Sequence, residues 1–147
     1  MFQDLNLPAY NARIEKNGDE HRIFDSIRRK YILLTPEEWV RQHFINFMVI
    51  EKKYPAALMA VETGHKYNTL QNRSDILVYN KYGQPWMLVE CKAPAVNLTE
   101  EVLHQALRYN LVLNVQYIVI TNGLQHYCMK QNDRSFVFVD DLPDWDN

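Results

Sequence analysis

The chain is poor in the features that would tie it to several large functional classes. It has two cysteines, Cys91 and Cys128, both inside apolar runs that read as strands, with no secretory signal ahead of them. That argues against a disulfide-stapled secreted domain and predicts reduced thiols in a cytoplasmic protein. Charges break every apolar stretch well before the roughly 18 residues that a spanning helix needs, so no membrane partner is expected. The four glycines include no Gly-x-x-x-x-Gly-Lys-Ser/Thr loop, so no cradle for nucleotide phosphates is present. His21, His43, His65, His104 and His126 show no metal-ligand spacing such as His-Glu-x-x-His. Positive charge is scarce too: 16 Lys and Arg against 18 Asp and Glu give a net charge of -2. This argues against a broad nucleic-acid-binding surface and confines any DNA contact to a local patch.

Hydrophobic residues make up 47% of the 147 and charged residues 23%, the balance of a soluble globular domain. A chain of this length folds as one domain that buries about two-thirds of its unfolded surface. Residues 1–147 divide into an N-terminal extension and hairpin (1–30), a core (31–142) and a tail (143–147). Arg13–Lys16 and His21–Phe24 flank the turn signal Asn17-Gly18 and read as the hairpin. Thr35-Pro36-Glu37-Glu38 starts a helix, with a Thr cap, proline at the first helical position and Glu at the third. Val40, Phe44, Phe47 and Met48 give that helix a buried face as far as about Lys53. A strand over 57–63 follows, then two apolar runs. Asn97 and Glu100 open a second helix to about Leu113, with Val102, Ala106, Tyr109 and Leu113 on one face. Val115–Thr121, Gln125–Lys130 and Phe136–Val139 read as strands, and the acidic residues from Asp140 read as a surface extension. This order predicts an α/β sandwich around a mixed sheet.

The two apolar runs carry the chemistry. Asp75-Ile76-Leu77-Val78-Tyr79 and Trp86-Met87-Leu88-Val89-Glu90-Cys91-Lys92 are joined by Asn80–Pro85, a segment of turn residues, and should pair as a hairpin. A turn centred between Tyr82 and Gly83 sets Tyr79 opposite Trp86, Leu77 opposite Leu88 and Asp75 opposite Glu90. Alternation then puts Trp86, Leu88, Glu90 and Lys92 on one face and Met87, Val89 and Cys91 on the other. Directly opposed like charges are destabilising by about 0.2–1 kcal/mol when exposed, and by more when desolvated. A divalent cation turns that penalty into attraction. Two carboxylates, Asp75 and Glu90, with the main-chain carbonyl of Cys91 between Glu90 and Lys92, form a hard-oxygen set suited to Mg²⁺ or Mn²⁺ rather than zinc. Such an ion lowers the pKa of a coordinated water and neutralises charge on a phosphate oxygen, and Lys92 on the same face can orient that water or stabilise the transition state. The reaction this suits is phosphodiester hydrolysis.

Asp75 followed after fifteen residues by Glu90-Cys91-Lys92 resembles the PD-(D/E)XK nuclease superfamily, with Ser74 standing where the superfamily name has proline. Four blocks in order extend the likeness: Leu34–Gln42, Leu88–Pro94, Gln105–Asn110 and Val119–Gly123. Together they look like the N-terminal nuclease domain of type I restriction enzyme R subunits over roughly residues 25 to 142. The resemblance implies a restriction-endonuclease-like α/β/α sandwich around a mixed central β-sheet and a Mg²⁺-dependent DNA endonuclease, with Mn²⁺ able to substitute. It implies metal binding by Asp75 and Glu90 and a catalytic role for Lys92. Gln105 and Tyr109 match the family's Gln-x-x-x-Tyr element, and their spacing of four puts them on one helix face. Glu38 has a metal-binding counterpart in some members and is equally explained as the third position of a capping box. The family's ATP-driven translocase has no counterpart in this sequence, so other restriction-modification subunits or a helicase supplied in trans are the implied partners beside DNA. The rival readings are a non-catalytic nucleic-acid-binding or assembly module that keeps the nuclease fold, and a nuclease acting on RNA.

Overall fold

A computed structural model describes residues 2–62 and 75–145, with the side chains of Glu62, Asp75 and residues 109–113 outside the described set. Strands β1 (Ile14–Asn17), β2 (Glu20–Asp25) and β3 (Lys30–Leu33) form an antiparallel sheet in that order. Gly18, at φ 67, opens the two-residue connection between Asn17 and Glu20, where a left-handed backbone favours glycine. The expected hairpin thus gains a third strand, whose Tyr31 packs edge-on against Phe24 of β2 at 5.3 Å.

Helix α1 (Pro36–Asn46) begins as the sequence predicts: Thr35 Oγ1 accepts a hydrogen bond from the Glu38 backbone N–H at 3.0 Å, a cap worth about 1 kcal/mol. It continues as a wider π turn over Phe47–Glu51, and Lys53, at φ 63, takes the chain out of the helix ahead of Pro55. A short 3₁₀ turn leads into β4 (Met59–Glu62), followed by β5 (Asp75–Tyr79), β6 (Pro85–Cys91), α2 (Glu100–Leu113), β7 (Tyr117–Thr121), β8 (His126–Asn132) and β9 (Ser135–Val139). The second helix is capped by Thr99, whose Oγ1 accepts from Val102 N–H at 3.4 Å, rather than by Asn97. Strands β4 to β9 form one six-stranded sheet in chain order. Only β6 and β7 pair in parallel, and α2 supplies the crossover that such a pair requires.

The sheet is covered on both faces. Val40, Phe44, Ile45 and Met48 of α1 pack with Ile76, Val78, Met87, Val89, Cys91, Val119 and Cys128. On the other face Ala106 of α2 packs with Leu77, Leu88, Ile118, Ile120 and Met129. Every residue of β7 is buried, as befits a β-branched strand covered on both sides. The expected mixed sheet between two helical layers is the observed architecture.

Two expectations need correction. A register shift between Val78 and Tyr79 sets Tyr79 against Pro85, so Trp86 joins the α1-side cluster, wedged between Tyr54 and Tyr117 at 5.6 and 5.3 Å. The tail is not a free surface extension: Leu142 is buried, Pro143 O accepts from Tyr54 Oη at 2.6 Å and Tyr79 O from Trp145 Nε1 at 3.1 Å. Its two large apolar side chains outweigh its acids, because each gains by covering the α1 face.

Candidate active site

Register builds the site. Asp75 and Glu90 are direct partners across β5 and β6, and Leu77 and Leu88 are partners two residues further along. Leu77 and Leu88 belong to the α2-side cluster, so strand alternation assigns positions 75 and 90 to that face. Because β6 is an interior strand, the Glu90 side chain is only 4% exposed. It lies near the end of the parallel pair, opposite Ile120, and open α/β sheets bind ligands at the carboxyl ends of their parallel strands.

Lys92 extends the line. Its backbone N–H donates to Thr121 O at 2.8 Å, and its Nζ lies 3.2 Å from Glu90 Oε2 with the lysine side chain 29% exposed. The pair therefore sits at the mouth of the sheet face, one partner dry and the other wet. Cys91, between them, turns its thiol into the α1-side cluster, which leaves its main chain as the part available to the Glu90 face. Among the described residues, no group of three or more His, Cys, Asp and Glu gathers closely enough to hold an ion. The Asp75 side chain lies outside that set.

The structure brings α2 to the same face. Ala106 is fully buried against Leu88 and Ile120, and Gln105, one residue earlier, is half-buried. The Tyr109 side chain lies outside the described residues.

Register also reveals a carboxylate that the sequence reading passes over: Glu62 of β4 is the direct partner of Asp75. Glu62, Asp75 and Glu90 thus stand at one level on three adjacent strands. Glu62's partner across the sheet is not readable, because a long stretch of sequence separates β4 from β5.

Glu38 is placed elsewhere. Its Oε1 accepts from Arg41 Nη1, and its Oε2 accepts from Arg28 Nη2 at 3.2 Å and Gln42 Nε2 at 2.7 Å. Asp25 Oδ2 extends the network by accepting from Arg28 Nε at 2.7 Å and Gln42 Nε2 at 3.0 Å. Burial alone would raise the Asp25 carboxyl's pKa, but hydrogen bonds and charge from Arg28, with Gln42, hold it below the ordinary value. Arg41, 2% exposed, is likewise penalised by burial yet held above its usual range by Cys91, Glu38 and Glu37. This network ties the three-stranded sheet to α1, which packs on the face opposite Glu90. Here Glu38 is held by Arg28, Arg41 and Gln42.

Residues 36–143 match the family described as type I restriction enzyme R protein N terminus. The chain belongs to that family. The matched span begins at Pro36, the first residue of α1, and runs through the whole six-stranded sheet, so the β1–β3 sheet lies ahead of it. Membership sets the chain in a restriction-modification context and gives it a nuclease-related role. No curated protein matches the chain, and no solved structure does.

Proposed function

We propose that this family member is a metal-dependent DNA endonuclease of restriction type that hydrolyses phosphodiester bonds. The observation that carries this reading is the in-register pair Asp75 and Glu90 with Lys92 ion-paired to Glu90 at 3.2 Å. The donor set suits a hard cation: two carboxylates and the Cys91 carbonyl offer oxygen only, at the end of a strand where Glu90 is shielded from water. Mg²⁺, or Mn²⁺ in its place, supplies charge neutralisation at the phosphate and a more acidic water when bound.

The chain's own residues do the rest. Asp75 and Glu90 would hold the cation at the strand end. Lys92 presents an ammonium to the non-bridging phosphate oxygens as charge accumulates on them. Gln105 and Tyr109, one helical turn apart on α2, steady the backbone of the strand to be cut. Water's oxygen bonds to phosphorus and releases a proton to solvent as the ester P–O bond breaks, and the departing oxygen takes up a proton from solvent. DNA is the substrate.

Plasmid DNA incubated with Mg²⁺ or Mn²⁺ is expected to be cleaved by the protein and spared by Asp75→Ala and Lys92→Ala. Equal cleavage by all three would sink the reading. Cleavage of RNA in place of DNA would reassign the substrate while keeping the site.

A further inference from the structure

Strand β9 lies at one edge of the six-stranded sheet. Its sequence is Ser-Phe-Val-Phe-Val, with no proline, no charge and no bulge in its pairing with β8. Exposed edges are usually blunted by such features because their unpaired N–H and C=O groups invite another strand. Val137 is 42% and Phe138 62% exposed. Among the described residues, the backbone hydrogen bonds outside regular strands and helices include none made by residues 135–139. The tail leaves this edge open, since after Asp140 it turns back toward the Tyr54 hydroxyl and the Tyr79 main chain.

We propose that β9 pairs antiparallel with β9 of a second copy of this chain, joining the two sheets into one. The strand is complementary to itself in one register. Centred on Val137, all five residues of β9 overlap, and Phe136 meets the second copy's Phe138. At the ends, Arg134 meets the second copy's Asp140. Both charged residues are exposed, and among the described residues neither makes an ion pair within the chain, whereas Asp141 is already held by Lys52 at 3.3 Å. Sliding by two residues in either direction breaks the charge match and shortens the overlap. The pairing is isologous and closed: it uses up both β9 edges, which favours a dimer over a fibre.

Antiparallel partners point their side chains to the same side, so the two α2 faces end on one side of the joined sheet. Seven strand spacings of about 4.8 Å separate the two β6 strands, setting them about 34 Å apart across the sheet. If the nuclease reading holds, one long substrate meets both sites. The dimer itself rests on β9 alone and stands if that reading fails.

Sedimentation velocity over a dilution series tests the pairing. The full chain is expected to pass from dimer to monomer on dilution. Arg134→Glu should weaken the dimer at least about tenfold, and adding Asp140→Arg to the same chain should restore it. Phe138→Pro, which removes a backbone donor that faces the open edge, should leave a monomer. The charge variants lie at exposed strand ends and keep the fold, so they remain informative if Phe138→Pro unfolds. A monomer at every concentration overturns the proposal, as does a dimer indifferent to Arg134→Glu, or open-ended assembly in place of a dimer.

Discussion

Lys92 Nζ stands 3.2 Å from Glu90 Oε2, joining a side chain 29% exposed to one 4% exposed. The ammonium holds the same carboxylate that a divalent cation would use, so on the proposed reading lysine and metal would compete for Glu90 while cooperating on a phosphate. Lys92→Ala is therefore expected to lower DNA cleavage by about 100-fold or more yet leave Mn²⁺ affinity equal or slightly higher. Calorimetry of Mn²⁺ binding beside plasmid relaxation rates checks both halves. Weaker Mn²⁺ binding in Lys92→Ala would contradict the competition.

Glu62, Asp75 and Glu90 share one level across three strands, and like charges so placed repel. In metal-free buffer, Asp75→Asn is expected to raise the melting temperature by an amount equivalent to about 0.2–1 kcal/mol. In Mn²⁺ the order reverses, because the variant loses the stabilisation that the ion gives the wild type. Glu62→Gln should behave in the same sense with a smaller loss. Melting curves that ignore Mn²⁺ in the wild type would remove metal from this face altogether.

Glu38 accepts hydrogen bonds from Arg28, Arg41 and Gln42. Removing it with Glu38→Ala leaves Arg41 buried without its nearest counter-charge, and breaking a buried pair costs about 3–5 kcal/mol. The expected outcome is a large fall in urea midpoint with Mn²⁺ affinity unchanged in the folded fraction. A stable variant that has lost Mn²⁺ binding would instead make Glu38 a ligand.

Burial lowers the His43 imidazole below its ordinary 6.5, opposed in part by its hydrogen bond to Trp39 O. The unfolded chain therefore takes up a proton more readily, so this contribution is complete above about pH 6.5 and is lost as pH falls toward the folded value. Asp25 acts in the same direction at lower pH: its net shift is downward from 3.8, so its contribution is present above that value and disappears below it. The urea midpoint should fall in two stages as pH drops from 7 to 3. In His43→Asn the first stage should vanish, and a wild-type midpoint flat from pH 7 to 5 would refute the assignment.

Cys128 is buried on the α1 side, and burial with the nearby Asp141 charge pushes its thiol up to about 12. Cys91 is buried in the same cluster. Both thiols should resist an aromatic disulfide reagent in the native protein and react fully in guanidinium. Rapid reaction of either without unfolding would mean that this cluster opens.

Much of this molecule was written locally. Thr35-Pro36 and Glu38 declare the start of α1 because capping needs only neighbours in sequence. The β5–β6 register that joins Asp75 to Glu90 follows from a short hairpin whose turn residues limit the pairing. The apolar alternation of 86–91 was also readable, except at Trp86, where the shift beside Tyr79 moves one large side chain to the other face.

What lies far apart in the chain was decided only by the fold. Glu62 meets Asp75 because β4 and β5, well separated in sequence, settle into one register. Glu38 gains a part-buried partner because Arg28, ten residues away, folds back onto α1. The tail docks because Leu142 and Trp145 find apolar cover on a surface assembled from distant residues. Capping and hairpin pairing cost little chain entropy and can be read from neighbours, whereas contacts of this kind depend on which distant surfaces the whole sheet brings together.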